Sequence, residues 1–340
     1  MKNIKKTIGI VVLVVSLAIG GVIFVQELIA KSSDSITFRL AHNMAKDSEV
    51  SDSVALISDF VEEDASMNMA IDIYPSGVLG SEKEIIEMVQ AGVLDMAKIS
   101  ANTLGQFNDY YSTFALPYLF KSQEHYYNAM ENSEKVQELY FTGEDKGYIA
   151  IGYYATGARN IYMKEDIVAT DPSKLKGKKF RTMPNSVAME MMELMGGSPV
   201  PMAASETYTA IQQGVIDGAE NTELALNVDK HAEIAKAYTY TEHLYSPDIY
   251  IISTEAWNKL TEEQQQYLID CFTKLNDNYK NIYNAMMDSA IEEAKEMGMN
   301  IYKDIDKTPF IEAVQPMHER FTEKGGFYQE LYDDIQQYAP

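Results

Sequence analysis

Arginine is scarce in this sequence, and two of the four arginines lie in segments well suited to binding a ligand. They are Arg39, Arg159, Arg181 and Arg320, in an acidic chain of 340 residues with a formal net charge of −23. An arginine side chain holds a carboxylate through two parallel, charge-assisted hydrogen bonds. Arg159 and Arg181 are therefore candidates for an anion clamp, which would form a locally positive pocket inside a negative protein.

The local sequence suggests a position for each of these two arginines. Residues 155–159 read Ala-Thr-Gly-Ala-Arg after an apolar run, so Arg159 follows a glycine turn at the exit of a predicted strand. Residues 175–185 read Leu-Lys-Gly-Lys-Lys-Phe-Arg-Thr-Met-Pro-Asn, a basic turn that leads into a strand carrying Arg181. The alternatives are an exposed arginine at a strand edge and a solvated basic hairpin.

Two further segments could face the same ligand. In residues 199–208 a proline-edged strand runs into a helix that we expect Ser205 to cap, and free amides at a helix start can face an anion. Residues 213–221 read Gln-Gly-Val-Ile-Asp-Gly-Ala-Glu-Asn, a helix-ending glycine, a short apolar strand and a polar turn. Asn221 would offer a donor and an acceptor at a strand end, where open α/β sheets bind ligands.

The sequence lacks the patterns of an enzyme site. The histidines show no pair at metal-ligand spacing, and we find no nucleophile elbow, phosphate-binding glycine loop or dinucleotide fingerprint. We therefore predict no catalytic residue, no metal and no cofactor. A single cysteine, Cys271, excludes an intramolecular disulfide and a cysteine-cluster metal site. The negative charge argues against nucleic acid as a partner, because that binding needs a basic surface.

The first 33 residues are predicted to be a separate signal or anchor segment. Three lysines precede an apolar run of 18 residues, 8–25, the pattern of an export signal or of an N-terminal membrane anchor. The run is longer than the roughly 7 to 15 residues of a cleaved signal and sits at the lower edge of a bilayer span. Cleavage and retention both remain open, but either places the rest of the chain extracytoplasmic: periplasmic, or on the outer face of the cytoplasmic membrane.

From residue 35 onward, predicted strands and helices alternate, which favours mostly parallel sheets flanked by helices. The predicted strands are 36–40, 69–74, 94–99, 148–154, 160–163, 179–182 and 199–202, and the predicted helices are 50–65, 82–91, 122–139, 187–195 and 206–213. Ser81 with Glu84 and Thr261 with Gln264 have capping-box spacing. Residues 262–297 contain neither glycine nor proline, and form either one helix of about 54 Å or two helices broken near residues 276–278.

Together with residues 74–80 (Tyr-Pro-Ser-Gly-Val-Leu-Gly) and 114–118 (Phe-Ala-Leu-Pro-Tyr), the four segments resemble one known family. It is the dicarboxylate-binding-protein (DctP) family, the solute-binding proteins of tripartite ATP-independent periplasmic (TRAP) transporters, and the likeness covers nearly all of residues 36–336. It implies an α/β, two-lobed periplasmic-binding-protein-like fold with a hinge and a long helix spanning both lobes. We expect lobe I at 34–156 plus 247–286, and lobe II at 157–246 plus 287–340.

The same resemblance implies roles for individual residues. Arg181 would be the main carboxylate partner, Arg159 the second, and Asn221 would hydrogen-bond the same end of the ligand. His42 and Asn43 would line the opposite wall of the cleft. Ser100 stands where the sialic-acid branch has an acidic side chain, and Ala204 where that branch has an aromatic one, so both count against sialic acid.

The leading hypothesis is therefore a receptor that captures an organic acid between closing lobes. The ligand would be a C4-dicarboxylate, a sugar acid or a related carboxylate. The partners would be the small and large membrane permease subunits, for uptake driven by an ion gradient. An exported enzyme acting on an organic acid and a sensory ligand-binding protein are the alternatives.

Overall fold

Two separate β-sheets organise residues 35–340, the part of the chain that this computed structural model describes. The predicted signal or anchor at residues 1–33 lies outside the described residues. The first sheet has the strand order β2-β1-β3-β10-β4 and belongs to lobe I; the second has the order β11-β9-β5-β8-β6-β7 and belongs to lobe II. The strands are β1 (Ile36–Ala41), β2 (Met69–Tyr74), β3 (Met96–Ser100), β4 (Tyr148–Tyr154), β5 (Ala158–Met163), β6 (Lys179–Thr182), β7 (Ser198–Pro201), β8 (Gly218–Asn221), β9 (Ala237–Tyr245), β10 (Asp248–Ser253) and β11 (Asn300–Tyr302).

Helices cover these sheets and join their strands. They are α1 (Glu49–Glu62), α2 (Glu82–Gln90), α3 (Ala101–Leu104), α4 (Gln123–Asn132), α5 (Glu134–Phe141), α6 (Pro172–Leu175), α7 (Ser186–Leu194), α8 (Thr207–Gln213), α9 (Leu224–Asn227), α10 (Thr254–Trp257), α11 (Glu262–Glu296), α12 (Thr308–Thr322) and α13 (Phe327–Gln336). The capping boxes predicted at Ser81 and Thr261 are both present, at the starts of α2 and α11. Within residues 35–340, no helix has the length and hydropathy needed to cross a bilayer.

Both sheets are mostly parallel, as predicted, but each contains one antiparallel strand that the sequence analysis did not foresee. In lobe I, β10 runs antiparallel to both β3 and β4, and in lobe II, β5 runs antiparallel to both β8 and β9. Each of these strands begins directly after the chain has crossed from the other lobe. A chain that crosses between the lobes enters the new sheet at the edge that faces the other lobe. Its first strand therefore runs away from that edge, antiparallel to the neighbouring strands, which end there.

The predicted helix 122–139 is two helices in the structure, α4 and α5. Ser133 separates them with an extended backbone, φ −69° and ψ 121°. Its side-chain oxygen accepts a hydrogen bond from the Val136 amide at 3.0 Å and donates one to Asp334. Ser133 thus caps α5, and its hydrogen bond to Asp334 links the start of α5 to the C-terminal helix α13.

The two crossings lie side by side and form a hinge region, residues 155–157 and 246–247. Thr156 Oγ1 donates a hydrogen bond to the Ser246 carbonyl oxygen at 2.6 Å. The Ala101 amide at the start of α3 donates to the Pro247 carbonyl oxygen at 3.0 Å. Since both crossings leave one sheet and enter the other at the facing edges, the strand ends of the two lobes border a common cleft.

Helix α11 is a single helix of 35 residues, which confirms the long-helix prediction. It packs against α1 and β4 in lobe I and against α9 and β11 in lobe II. Where it passes the first crossing, buried Asn276 accepts a hydrogen bond from the Ala155 amide at 2.8 Å. The Tyr279 ring lies 4.0 Å from the ring of Tyr154, the last residue of β4. The helix therefore spans both lobes and is bonded to the hinge.

Gly157 in the first crossing contacts α11 so closely that no side chain fits. A Cβ atom there would lie 1.4 Å from Oη and 2.4 Å from Cζ of Tyr283, a buried residue of α11. We expect Gly157→Ala to displace this tyrosine and to lower the free energy of unfolding by about 1 to 3 kcal/mol, the usual cost of overpacking. Urea denaturation measures the loss. Gly152→Ala is the control, because its Cβ would meet Phe272 at an ordinary 3.4 Å; equal losses in the two variants would contradict the steric argument.

The C-terminal helices contact both halves of the molecule. Helix α12 packs against α6 and α7, whereas α13 packs against α4, α5 and the short 3-10 helix Asp109–Ala115. The exact lobe boundaries stay a prediction. The assignment of all of 287–340 to lobe II is the part that these contacts do not favour, because α13 lies on helices that precede the first crossing.

Candidate functional site

Arg159, Arg181 and Asn221 lie on three neighbouring strands of lobe II. In the register, Arg181 of β6 is opposite Ala219 of β8, and Asn221 of β8 is opposite Asn160 of β5, the residue after Arg159. All three stand at the sheet edge that borders the cleft, because β6 and β8 end there and β5 begins there. The structure therefore brings the two predicted arginines and the predicted asparagine together.

Arg181 is a buried cation without an ionic partner. It is 6% exposed, and its Nε donates a hydrogen bond to the Met202 carbonyl oxygen at 3.1 Å. Within residues 35–340, no carboxylate lies within 4.0 Å of it. Burial lowers the pKa of Arg181 from its ordinary value, and the nearby Glu220 and Arg159 charges act in opposite directions. A buried arginine whose terminal nitrogens lack an anion is suited to receive one from a ligand.

Arg159 differs, because a protein carboxylate already holds it. Its Nη2 donates to Oε1 of Glu220 at 3.0 Å and to the Glu220 carbonyl oxygen at 2.9 Å, while its Nε donates to Oε2. This pairing fixes the guanidinium plane and leaves Nη1 as the nitrogen that the Glu220 bonds do not use. The role of Arg159 as a second carboxylate partner stays a prediction. Arg159 would bind the carboxylate through Nη1, the nitrogen that Glu220 does not use.

Glu220 is the site residue that the sequence argument missed. It is fully buried, and His243 Nε2 lies 3.4 Å from its Oε2. Burial alone would raise the pKa of Glu220, but the Arg159 charge, with help from His243, outweighs this and lowers the pKa to about 2. A signal did exist: Glu220 is the acidic residue of the Asp-Gly-Ala-Glu-Asn segment, one position before the predicted Asn221.

Asn221 presents the donor side of its amide. Its Oδ1 accepts a hydrogen bond from the Thr222 amide at 2.9 Å, and its backbone oxygen accepts one from Tyr238 Oη at 3.2 Å. The first bond holds the side chain by its oxygen, and the second holds the backbone. The Nδ2 group is then oriented as a donor at the same edge as Arg181.

Residues 199–208, which could have offered free helix-start amides to an anion, do not form an anion site. Ser205 was predicted to cap a helix, and this is wrong: it lies within a short 3-10 helix, Ala204–Glu206, directly before α8. The side chain of Glu206 instead accepts a hydrogen bond from the Ala203 amide at 3.0 Å. A carboxylate of the protein already satisfies that amide, so a ligand anion is not needed there.

We define the lobe I wall as His42, Asn43, Glu82, Ser100 and Asp248, which lie at or beside the strand ends of the first sheet. Ligand contact by the predicted residues His42, Asn43 and Ser100 stays a prediction. His42 follows β1, Ser100 ends β3, and Asp248 begins β10 opposite Ser100. Ser100 donates to Glu82 from its amide at 3.0 Å and from its hydroxyl at 2.8 Å, and the exposed Asn43 donates to Glu82 from Nδ2 at 3.4 Å. The predicted residues Asn43 and Ser100 thus meet at one carboxylate.

A contact across the cleft places the two walls close to each other. Asn102 of α3, two residues after Ser100, has its Nδ2 3.9 Å from Sδ of Met183, two residues after Arg181. The same amide donates to Ser246 Oγ of the second crossing at 3.1 Å. The cleft is therefore bounded by Arg181 on one side and the lobe I wall on the other.

A separate depression of about 240 Å³ lies between α5, β4 and α11. Its lining includes Tyr140, Phe272 and the acidic residues Glu131 and Asp277. No lysine or arginine lines it, so its chemistry does not suit an anion. The cleft remains the candidate site.

The structure has two α/β lobes joined by two short crossings and a shared long helix, and a buried arginine without an ion pair in the described residues lies in the cleft. These features define a solute-binding receptor. The sequence matches the bacterial extracellular solute-binding proteins of family 7 over residues 40–324, and the chain belongs to that family. This confirms the predicted family, fold class and general function: a solute-binding receptor of the kind that serves TRAP transporters.

Individual relatives agree with this assignment. The uncharacterized protein YiiZ of Salmonella typhimurium is 38% identical over 84% of this chain and 87% of its own length. A TRAP periplasmic solute-binding protein of Anaerococcus prevotii, solved with bound D-glucuronate, is 32% identical, with a TM-score of 0.80 over 89% of this chain and 98% of its own. A third, from a Sulfitobacter species with bound β-D-galacturonate, is 29% identical, with a TM-score of 0.79 over 88% and 98%.

Proposed function

We propose that this protein captures a sugar acid of the hexuronate type in its cleft, with the ligand carboxylate bound to Arg181. The observation that carries the proposal is the burial of Arg181 without a carboxylate partner in the described chain. A bound carboxylate would supply the missing negative charge where water is largely excluded, so the charge-assisted hydrogen bonds would be strong. The glucuronate and galacturonate in the two similar receptors make hexuronates the first candidates.

Asn221 and Arg159 would complete the carboxylate end of the site. The Asn221 Nδ2 group would donate to a ligand oxygen, and Arg159 would approach from its unpaired side. Glu220 is a positioning residue in this arrangement, because it orients Arg159 and does not itself meet the ligand. The ligand thus needs one carboxylate at this end and polar groups farther along.

The lobes would close around the ligand by bending at the two crossings, residues 155–157 and 246–247. Helix α11 and the C-terminal helices α12 and α13 also connect the lobes. Closure would bring the lobe I wall onto the bound solute. We further propose that the closed receptor delivers the solute to the small and large membrane permease subunits of a TRAP transporter. No observation favours the alternatives of an exported enzyme or a sensory protein.

A thermal-shift and calorimetric screen of the purified protein tests the ligand class. The panel contains D-glucuronate, D-galacturonate, succinate, pyruvate and the neutral sugars glucose and galactose. A ligand at 100 times its Kd should stabilise the protein by about 2.7 kcal/mol, and we expect this only from hexuronates. Stabilisation by neutral sugars alone, or by none of the acids, would contradict the carboxylate site.

A further inference from the structure

The lobe I wall contains a buried histidine that no protein group satisfies. His42 is 0% exposed, and neither ring nitrogen has a hydrogen-bond partner. Unsatisfied buried polar groups are rare and costly, which points to a partner that the protein chain does not supply. Burial, together with the nearby Lys98 charge, lowers the pKa of His42 to about 4 although Asp248 acts in the opposite direction. The ring is therefore neutral at pH 7, with one donor and one acceptor.

The positive charge nearest to His42 is already neutralised. Lys98 of β3 is buried and forms an ion pair with Asp248, and its Nζ also lies 4.4 Å from the centroid of the Tyr154 ring. This lysine is enclosed by its partners in lobe I. It is therefore not a free cation for a ligand, in contrast to Arg181 on the opposite side of the cleft.

The second charged group of the wall is the Glu82 carboxylate. It is fixed by the Ser100 amide and hydroxyl, the Asn43 amide and the Thr103 hydroxyl. These partners are neutral donors, so the negative charge is oriented but not cancelled. Lys83 is exposed and is displaced from Glu82 by about 100° around α2, since a helix has about 3.6 residues per turn.

We propose that His42 and Glu82 select a ligand whose end facing lobe I carries hydroxyl groups and no second carboxylate. The proposal rests on the proposed function, in which Arg181 holds the other end of the ligand. A hydroxyl both donates and accepts, so it can use both nitrogens of a neutral His42 and donate to a carboxylate. A second carboxylate accepts only, and it would face the like charge of Glu82, which forms no ion pair within residues 35–340.

The discriminating ligand is D-glucarate, which has the carbon chain of D-glucuronate but a carboxylate at both ends. Isothermal titration of the purified protein with each compound gives the two Kd values. We expect D-glucarate and succinate to bind at least tenfold more weakly than D-glucuronate. Equal or tighter binding of the dicarboxylates would overturn this proposal and leave the Arg181 site standing, whereas absence of binding by every acid would overturn the proposed function and this proposal with it.

Removing the charge of Glu82 tests whether this carboxylate selects the ligand or only contributes to the stability of the fold. Glu82→Gln keeps the size of the side chain and should reduce the preference for D-glucuronate over D-glucarate at least threefold. Glu87→Gln removes the same charge from an exposed position of the same helix, and we expect it to leave the ratio unchanged. If the ratio of the Kd values for D-glucuronate and D-glucarate is the same in both variants and in the unaltered protein, the Glu82 charge does not select between these ligands.

A pair of substitutions at His42 tests the hydrogen bonds. His42→Phe fills a similar space without polar atoms and should weaken D-glucuronate binding at least tenfold, while His42→Gln should retain part of the affinity. Melting temperatures without ligand show whether each variant is folded. Unchanged D-glucuronate affinity in a folded His42→Phe protein would overturn the role of His42.

Discussion

Alanine in place of Arg181 should weaken binding of the solute by about 2 to 5 kcal/mol, which is the usual loss when one side of a buried charge pair is removed. At about 1.4 kcal/mol per factor of ten, the Kd rises at least 25-fold. The physical reason is the isolation of this guanidinium: it is buried, and in the described chain no carboxylate shares it. In the proposed site the ligand is its ionic partner, so the whole charge pair would be lost with the side chain. Calorimetric titration with the solute found in the ligand screen measures the effect.

The chain offers a matched control for this substitution. Arg320 is 52% exposed and pairs with Glu190 on the surface, where an ion pair contributes only about 0 to 1 kcal/mol. Arg320→Ala removes the same charge, so it should leave the Kd within threefold. Arg181→Lys should fall between the two, because lysine keeps the charge but not the planar fork that matches a carboxylate. If Arg181→Ala also bound within threefold of the unaltered protein, Arg181 would not hold the carboxylate.

Local sequence was sufficient for the elements whose limits are set by nearby residues. The strands at 69–74, 148–154 and 179–182 have the predicted bounds, because each is an extended run ended by a turn that the sequence itself encodes. Helix α11 was predicted for the same kind of reason, since nothing within it interrupts a helix. Arg181 was found because a basic turn leads into a short strand, a pattern visible within 11 residues.

Features decided by distant residues were not predictable in this way. At the split, Ser133 donates a hydrogen bond to Asp334, which lies 201 positions later and could not be paired with it from local sequence. The antiparallel strand β10 was not predicted at all, because its place between β3 and β4 follows from the second crossing and not from its own composition. Likewise, an arginine in sequence does not reveal its partner. That Glu220 pairs with Arg159 and not with Arg181 became visible only in the structure.

That pairing also explains how an arginine-rich edge can be stable before a ligand arrives. Two guanidinium groups near each other repel: burial lowers the pKa of Arg181, and the charge of the half-buried Arg159 lowers it further. Glu220 offsets the charge of Arg159, and Arg181 is left as the arginine of this edge that forms no ion pair within residues 35–340. The carboxylate of Glu220 is thus as necessary to the site as the arginine that meets the ligand.

Replacement of Glu220 by glutamine should therefore destabilise the protein by about 3 to 5 kcal/mol near pH 7, because it leaves Arg159 buried without its counter-charge. The loss should depend on pH. The carboxyl group has an ordinary pKa of 4.5 that folding lowers to about 2, so its contribution is fully present above pH 4.5 and disappears as the pH falls through 2. This difference in pKa corresponds to about 3 kcal/mol.

Urea denaturation of both proteins between pH 7 and pH 3 tests this dependence. The unaltered protein should lose stability more steeply than Glu220→Gln on acidification, and the gap between them should narrow below pH 4.5, because a protonated Glu220 resembles glutamine. Glu165→Gln is the control: Glu165 is 68% exposed in its pair with Lys178, and its loss should be small at every pH. A gap that stayed constant from pH 7 to pH 3 would mean that the ionised carboxylate does not stabilise the fold, and Arg159 would then need another group to hold it in the cleft.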